Sequence, residues 1–458
     1  MSPVRILIVG GSTRAAADSV RRAGWQPVCA DLFADLDLRR TAEVIPVRCY
    51  PESLPEDVAK VRADGWFYCG ALENRPDIIT EMLSNAARLG PLLGTAPEAL
   101  SLVRNPHWLM DQLRQFGIRV LDLADSSRPP VPDGTWLQKP LASAGGRSIR
   151  IWDRAAINNP FLEPHYFQRR VDADGFSAIF RLENGKIDWL GAASEIEPNS
   201  ACHPPARFSY CGSRGPLRKI PFNREKTVTS VERFQIFHCE NRRDRASNRI
   251  AVRGSAVFQA TIQQQLTAIA KTLARNVPGL RGLVGLDFRI ENNTVWLLEV
   301  NPRYTASIEV LELTSGRSFL NPDATESLFN DNAVSQLDSR VIAIQKSFVD
   351  SRHGQTEKTA RGLPRYPVIA KQILYAQSTF KAPDLGCFLH NVDPWQVPLV
   401  ADIPMPGSLI ESGWPICTVF AGGATAEIVR AKMHRQIDRI QAAVSGQGSL
   451  HGTEESSF

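Results

Sequence analysis

The chain has 458 residues, 43% of them hydrophobic and 22% charged, with 31 Gly and 31 Pro. That length is roughly three domains' worth, and the composition excludes collagenous, coiled-coil and low-complexity classes as well as wholesale disorder. A net charge of +5, from 53 basic against 48 acidic residues, is too mild an excess to predict a nucleic-acid partner. No apolar run approaches the ~20 residues of a membrane span, and the early run Ile6 to Val9 is too short for a signal segment. The expectation is a soluble, cytoplasmic α/β or α+β protein with neither nucleic acid nor membrane as partner. Cysteines at 29, 49, 69, 202, 211, 239, 387 and 417 form no Cys-x-x-Cys and no zinc-like spacing, so buried free thiols are expected.

In chain order, Val4 to Val9 reads as a strand, Gly10-Gly11-Ser12-Thr13-Arg14 as a tight turn, and the Ala-rich stretch beyond as a helix. A second strand, Gln26 to Ala30, ends at Asp31. The turn lacks the Gly-x-Gly-x-x-Gly spacing that brings a backbone up to a pyrophosphate, which argues against a nicotinamide dinucleotide here. Gly65 to Leu72 reads as a further strand, with Glu73-Asn74 at the carboxyl end where doubly wound sheets place ligands. Asn105 caps a predicted helix with Pro106 at its first position and an apolar stripe of Leu109, Leu113 and Phe116.

Trp136 to Pro140 is a predicted strand, followed by the small-residue loop Ala142 to Ser148 and a returning strand Ile149 to Trp152. Strands at Tyr166 to Val171, Ser177 to Leu182 and Trp189 to Ala193 continue an antiparallel pattern. Phe258, Ile262, Leu266, Ile269 and Leu273 mark an amphipathic helix before a strand at Gly282 to Ile290. Asn321 to about Gly362 is polar and weakly periodic. Beyond it, Ile369 to Ala376, Val397 to Ile403 and Pro415 to Ala421 read as strands, and Val429, Met433, Ile437 and Ile440 as the stripe of a last helix.

The segment Leu286 to Arg303 contains two alternating strands around Asn292-Asn293. Leu286, Phe288 and Ile290 share a face with Trp296, Leu298 and Val300 only if Phe288 opposes Leu298. That register puts Asp287 opposite Glu299, with Asn301 next on the same face, because side chains alternate along a strand. It requires a three-residue loop or a bulge, since a plain two-residue turn would place Asp287 and Glu299 on opposite faces. Directly opposed carboxylates repel unless a cation joins them, and this set of hard oxygens suits Mg²⁺ or Mn²⁺ bound with phosphates. A solvated hairpin that merely carries Asp, Glu and Asn on its polar face is the competing reading.

Asp287, then Glu299-x-Asn301-x-Arg303, downstream of Lys139-Pro140 and the Ser143-Ala144-Gly145-Gly146 loop, resembles the ATP-grasp superfamily, which includes biotin carboxylase and carboxylate-amine ligases. Within it the chain is similar to predicted ATP-dependent carboligases related to biotin carboxylase, some linked to methanopterin-dependent one-carbon metabolism. The stretch Gly413 to Val419 is similar to the biotin carboxylase C-terminal unit. The resemblance implies an α/β and α+β fold in three parts: a doubly wound pre-ATP-grasp domain (1–98), a split two-lobed ATP-grasp domain (99–325, with a basic insert 218–253), and a linker and small C-terminal β unit (326–458).

It also implies roles. Lys139 would bind the α- and β-phosphates, and Ser143, Gly145 and Gly146 would belong to a loop that closes over the triphosphate with backbone N–H groups. Gln168, Arg169 and Val171 fall in the inter-lobe hinge that reads adenine, and Asp174 is nearest to the ribose. Asp287, Glu299 and Asn301 would hold the metal. Arg303 would stabilise charge on the transferred phosphate and the substrate carboxylate. Lys139 as a surface lysine and Arg303 in a structural salt bridge are the plainer alternatives, and Glu309 and Glu312 read as surface or rim groups.

Two departures qualify the resemblance. Arg104-Asn105-Pro106-His107 stands where family members often start a helix with lysine, so a phosphate contact would be lost or pass to Arg104. The insert 218–253 has no aromatic interleaving suited to nucleic acid and reads as a solvated flap or subunit contact. The activity implied is ATP-dependent ligation of a small-molecule carboxylate to an amine through an acyl phosphate, in the setting of a methanopterin- or furan-type cofactor. Alternatives are a carboxylase using carboxyphosphate and a catalytically silent ATP-binding sensor or scaffold. Homodimer formation is left open.

Overall fold

The computed structural model describes residues 3–142, 144–146, 148–159, 161–183, 185–197, 203–217, 247–321, 357–358, 364–389 and 392–445, with backbone alone for 86, 247–260, 357–358 and 364–365. Ser143, Cys202, Cys239, most of the 218–253 insert and most of the 321–362 stretch fall outside the described residues.

Four strands, β1 (Arg5–Gly10), β2 (Gln26–Asp31), β3 (Glu43–Pro46) and β4 (Gly65–Tyr68), form a parallel sheet in the order β3-β2-β1-β4. Their near-continuous apolar runs suit a sheet covered on both faces. Leu7 and Val9 pack with Trp66 and Tyr68 on one side. Ile6 and Ile8 pack with Cys29 and Phe67 on the other, against Ile308 and Leu311 of the helix Ala306–Ser315. The chain leaves β1 toward β2 and later returns to β4 on β1's other side, so the switch point lies between β1 and β4. The fourth strand stops at Tyr68, short of the expected Leu72, because Gly70 and Ala71 take left-handed conformations and turn the chain inward.

A smaller antiparallel sheet contains β5 (Leu123–Asp125), β6 (Asp133–Pro140), β7 (Arg150–Asp153) and β8 (His165–Arg169) in the order β5-β8-β6-β7. The helix leading to it, Pro106–Gln115, begins as expected: the Asn105 side chain accepts from the Trp108 N–H at 3.1 Å. Leu109 and Leu113 are buried, but the helix stops before Phe116, which is exposed.

The largest sheet has eight strands, all antiparallel. Its first five are, in spatial order, β13 (Thr294–Asn301), β12 (Gly282–Glu291), β9 (Gly175–Glu183), β10 (Lys186–Glu195) and β11 (Gly212–Gly215). The strands Val368–Tyr375, Pro415–Gly423 and Val400–Ala401 then continue it edge to edge. The expected strand 397–403 narrows to Val400–Ala401. Ile262, Leu266, Ile269 and Leu273 of the helix Ser247–Asn276 bury against Phe180, Leu286 and Phe288. Val429, Met433, Ile437 and Ile440 of the helix Ala426–Val444 cover the C-terminal strands.

The helix Ala306–Ser315 lies between the two large sheets. Glu309 and Glu312, expected at the surface, are its most deeply buried polar groups. Arg14 donates to both Glu309 oxygens, and Lys371 Nζ reaches Glu309 Oε2 at 2.8 Å. Arg22 Nη1 donates to Glu312 Oε2 at 2.7 Å, and Ser19 Oγ to Glu312 Oε1 at 2.8 Å. The correction has a plain cause: a carboxylate can be buried when fixed cations and hydrogen-bond donors meet it, and these come from the first helix and a C-terminal strand, far away in sequence.

Candidate active site

The hairpin of β12 and β13 sets the centre of the site. Its turn is the plain Asn292-Asn293 pair, both with positive φ as a tight hairpin turn requires. From there the ladder runs Ile290 to Val295, Arg289 to Trp296 and Phe288 to Leu297, then shifts by one residue so that Asp287 faces Glu299 and Gly285 faces Asn301. The extra residue is Leu298, in a bulge. Phe288 therefore opposes Leu297 and not Leu298, and the buried set on β13 is Val295, Leu297 and Val300 while Trp296 and Leu298 are half-buried. The bulge resolves the register conflict: beyond it, Glu299 returns to the face that carries Asp287.

Around this pair the charges are dense. Asn301 Nδ2 donates to Asp287 Oδ2 at 2.6 Å, and Arg303 Nη2 donates to Asn301 Oδ1 at 3.3 Å. Arg104 Nη1 stands 3.7 Å from Glu299 Oε2 and its Nη2 donates to Asn74 at 3.0 Å. Burial and the neighbouring Glu299 and Glu195 push the Asp287 carboxyl well above the usual carboxylate range. Burial would raise Glu299 too, but Lys139, Arg104 and Arg303 hold it below that range. Of the two, Asp287 is the one that favours its proton and Glu299 the one that stays ionised.

Lys139 lies on β6 and is 5% exposed, so it is no surface lysine. Its Nζ donates to Gln168 Oε1 at 3.1 Å, and Gln168 Nε2 donates to the Leu298 carbonyl at 3.2 Å, tying the small sheet to the bulge. Against the pull of burial, Tyr166 and Glu299 raise the ammonium pKa, so the lysine stays charged.

The remaining sequence-derived residues divide. Gly145 and Gly146 both have positive φ, and Gly146 sits so close to the Phe208 carbonyl that a Cβ there would be 1.9 Å from the oxygen. A cavity of ≈ 700 Å³, lined by Ile149, Ile151, Phe161, Arg207 and Phe208 among others, opens beside this turn. Arg169 points away from the site: it is exposed, its guanidinium lies over the Trp136 ring, and its N–H already donates to the Asp122 carbonyl. Val171 is buried and Asp174 is exposed, and neither is brought to the Asp287–Glu299 pair. Asp31 is committed structurally, accepting from the Thr13 N–H and hydroxyl with one oxygen and from the Phe33 and Ala34 N–H groups with the other. No acceptor is left for a ribose, which removes the remaining support for a dinucleotide at the first turn.

Two acidic residues join the site beyond the sequence assignment. Glu73, just past β4 at the switch point, is 2% exposed and lies 2.7 Å from Arg303 Nε. Its place at a strand's carboxyl end was legible; its pairing with Arg303 was not. Glu195 ends β10 beside Gly175, which opposes Arg289, two residues from Asp287 on the same face. A Cβ on Gly175 would meet Glu195 Oε2 at 2.1 Å. Burial first, and then Glu299 and Glu197 against the attraction of Arg289, raise Glu195 to about 7. The one signal for it was a lone carboxylate ending a run of small residues, Gly191-Ala192-Ala193-Ser194.

Residues 226–307 match the family described as an ATP-grasp domain. Over nearly the whole chain the fold is similar to that of the L-amino acid ligase from Bacillus licheniformis, with a TM-score of 0.56 at 12% identity and coverage of 96% of this chain and 98% of that one. It is also similar to carboxyaminoimidazole ribonucleotide synthase from Aspergillus clavatus complexed with ATP (TM-score 0.56, 11% identity, 96% and 99% covered). Biotin carboxylase from Campylobacter jejuni gives a TM-score of 0.51 at 12% identity, with 94% and 90% covered. No curated protein is matched by sequence. The domain match is thus confined to residues 226–307, and over the rest of the chain the likeness is one of fold. Among the described residues, no helix is long and apolar enough to cross a membrane.

Proposed function

We propose that the protein is an ATP-dependent carboxylate–amine ligase. The observation that carries this reading is the direct opposition of Asp287 and Glu299, with Asn301 beside them and Lys139 held toward them through Gln168. The donor set fits Mg²⁺ or Mn²⁺: two carboxylates that repel when both ionised, with an amide next to them, are hard oxygen ligands. Bound there with ATP, the metal would neutralise charge on the β- and γ-phosphates. Lys139 would take the α- and β-phosphates as a fixed cation, and the Gly145-Gly146 turn would cover the chain of phosphates.

In the reaction a substrate carboxylate oxygen attacks the γ-phosphorus, the bond to the β-phosphate oxygen breaks, and ADP leaves. The amine nitrogen then attacks the acyl carbon, inorganic phosphate leaves with its bonding pair, and the amine gives up a proton. Arg303, anchored by Glu73 and Asn301, offers a planar fork to the transferred phosphate and the acyl oxygen. Arg104, beside Glu299, takes the place of the missing lysine. The three-part division at 1–98, 99–325 and 326–458 belongs to this reading.

The test supplies ATP, Mg²⁺ and panels of carboxylates, with hydroxylamine as a generic nucleophile. ADP release that requires a carboxylate, with hydroxamate formed in step, is the expected result. Release driven by bicarbonate alone would point to a carboxylase, and ATP binding without turnover across the panel to a sensor or scaffold.

A further inference from the structure

The short stretch Phe208 to Tyr210, which leads into β11, is gripped from two sides. The Tyr210 N–H donates to the Gly145 carbonyl at 2.9 Å. Its own carbonyl accepts from the Tyr375 hydroxyl at 2.6 Å, on the C-terminal strand Val368–Tyr375. Gly146 lies against the Phe208 carbonyl, a contact that only a residue without a Cβ can make. The backbone of Tyr210 is therefore held between the glycine turn and the far part of the large sheet.

The Tyr210 hydroxyl and Ser213 Oγ are enclosed side by side, and beyond each other neither has a hydrogen-bond partner among the described residues. Buried hydroxyls are nearly always satisfied, and two that have only each other leave one donor free for an arriving group. Burial, with Glu195, Asp287 and Tyr375 nearby, raises the phenol pKa, so the group is a neutral donor. Glu195 and Asp287 are near enough to act on it electrostatically, and it bonds to neither. A donor placed between a glycine turn and an acidic pair suited to a divalent cation matches one kind of arriving group, an oxygen-rich anion carried in with that cation.

We propose that the Tyr210 hydroxyl binds the terminal phosphate of ATP, and that its backbone link to Gly145 makes the same residue the floor on which the glycine turn rests. This rests on the ligase reading above, which supplies ATP as the ligand. It adds a residue that no local sequence pattern marked, and it gives the C-terminal strand a part in the site through Tyr375.

Calorimetric titration of the full chain with MgATP and with MgADP tests it, using wild type and Tyr210→Phe, which keeps the backbone link and removes only the hydroxyl. The expected result is MgATP affinity about tenfold weaker in the variant, the size of one hydrogen bond to a charged group, with MgADP affinity unchanged. The melting temperature should change little, because the hydroxyl has no partner beyond Ser213 to lose. Equal loss for both nucleotides, no loss for either, or a lowered melting temperature would overturn the assignment. Wild type that fails to bind MgATP at all would overturn the ligase reading itself.

Discussion

Two acidic clusters follow one another along the chain and are built in opposite ways. Glu309 and Glu312, on the helix Ala306–Ser315, meet Arg14, Lys371, Arg22 and Ser19 at hydrogen-bond distance. Despite burial, Arg14 and Lys371 hold Glu309 far below the usual carboxylate range. Asp287 and Glu299, on the strands just before, face each other, and burial with its acidic neighbours drives Asp287 upward. The first cluster is complete as it stands and joins three parts of the fold. The second has cations at its rim, Arg104 at 3.7 Å from Glu299, and none pairing with Asp287 at hydrogen-bond distance among the described residues; on the proposed reading the divalent metal would sit there.

The largest effect expected from this contrast is on stability. Glu312→Ala strands the buried Arg22 guanidinium and should cost ~3–5 kcal/mol, read by denaturant unfolding. A cost no larger than that of a surface substitution would break the comparison. Next comes Arg303→Ala, expected to lower turnover per folded molecule by about 10²-fold while ATP affinity changes little, since a group acting in the transition state affects rate before binding. Because Arg303 also pairs with Glu73, its loss should lower the melting temperature as well; Lys should restore part of that stability but little of the rate.

Asp287→Asn should behave in the opposite sense to Glu312→Ala. Relieving the like-charge contact should leave the metal-free protein as stable or more so, by up to ~1 kcal/mol, while the gain in melting temperature on adding MgATP disappears. The smallest expected signal is a pH slope. Asp287 and Glu195 have folded-state pKa values raised above those of the unfolded chain, Glu195 to about 7. Between about pH 5 and 7 the folded state binds more protons than the unfolded one, so metal-free stability should fall as pH rises through that window. Glu195→Gln should flatten part of the slope, and MgATP more of it; a slope unchanged by both would place the titrating groups elsewhere, for instance at Asp37, which burial raises to about 6.

What was legible in the sequence was what local periodicity encodes. The first strand and turn, the Asn105 cap, the stripe from Ile262 to Leu273 and the opposition of Asp287 to Glu299 all follow from residues a few positions apart. The misreadings share a different cause. Glu309 looked like a surface residue because its partners, Arg14 and Lys371, are remote in sequence, and no window contains them. The alignment of Phe288 with Leu298 failed because a bulge was balanced against a longer loop in only one way, with the apolar faces assumed continuous through it. Glu195 and Tyr210 went unmarked because what singles them out is a neighbouring strand: Gly175 making room for one, Gly145 holding the other.

Leu298 is a residue that the pairing of β12 with β13 does not need. If it were deleted, Phe288 could still face Leu297 and Asp287 still face Glu299, now in an unbroken ladder. What would vanish is the carbonyl that accepts from Gln168, and with it the span of two hydrogen bonds, 3.1 and 3.2 Å, from the Lys139 ammonium to β13. The surplus residue works as a pin between two plates, tying the small sheet and its lysine to the strand that carries Glu299. A chain shortened by that one position would keep its register and lose its gauge.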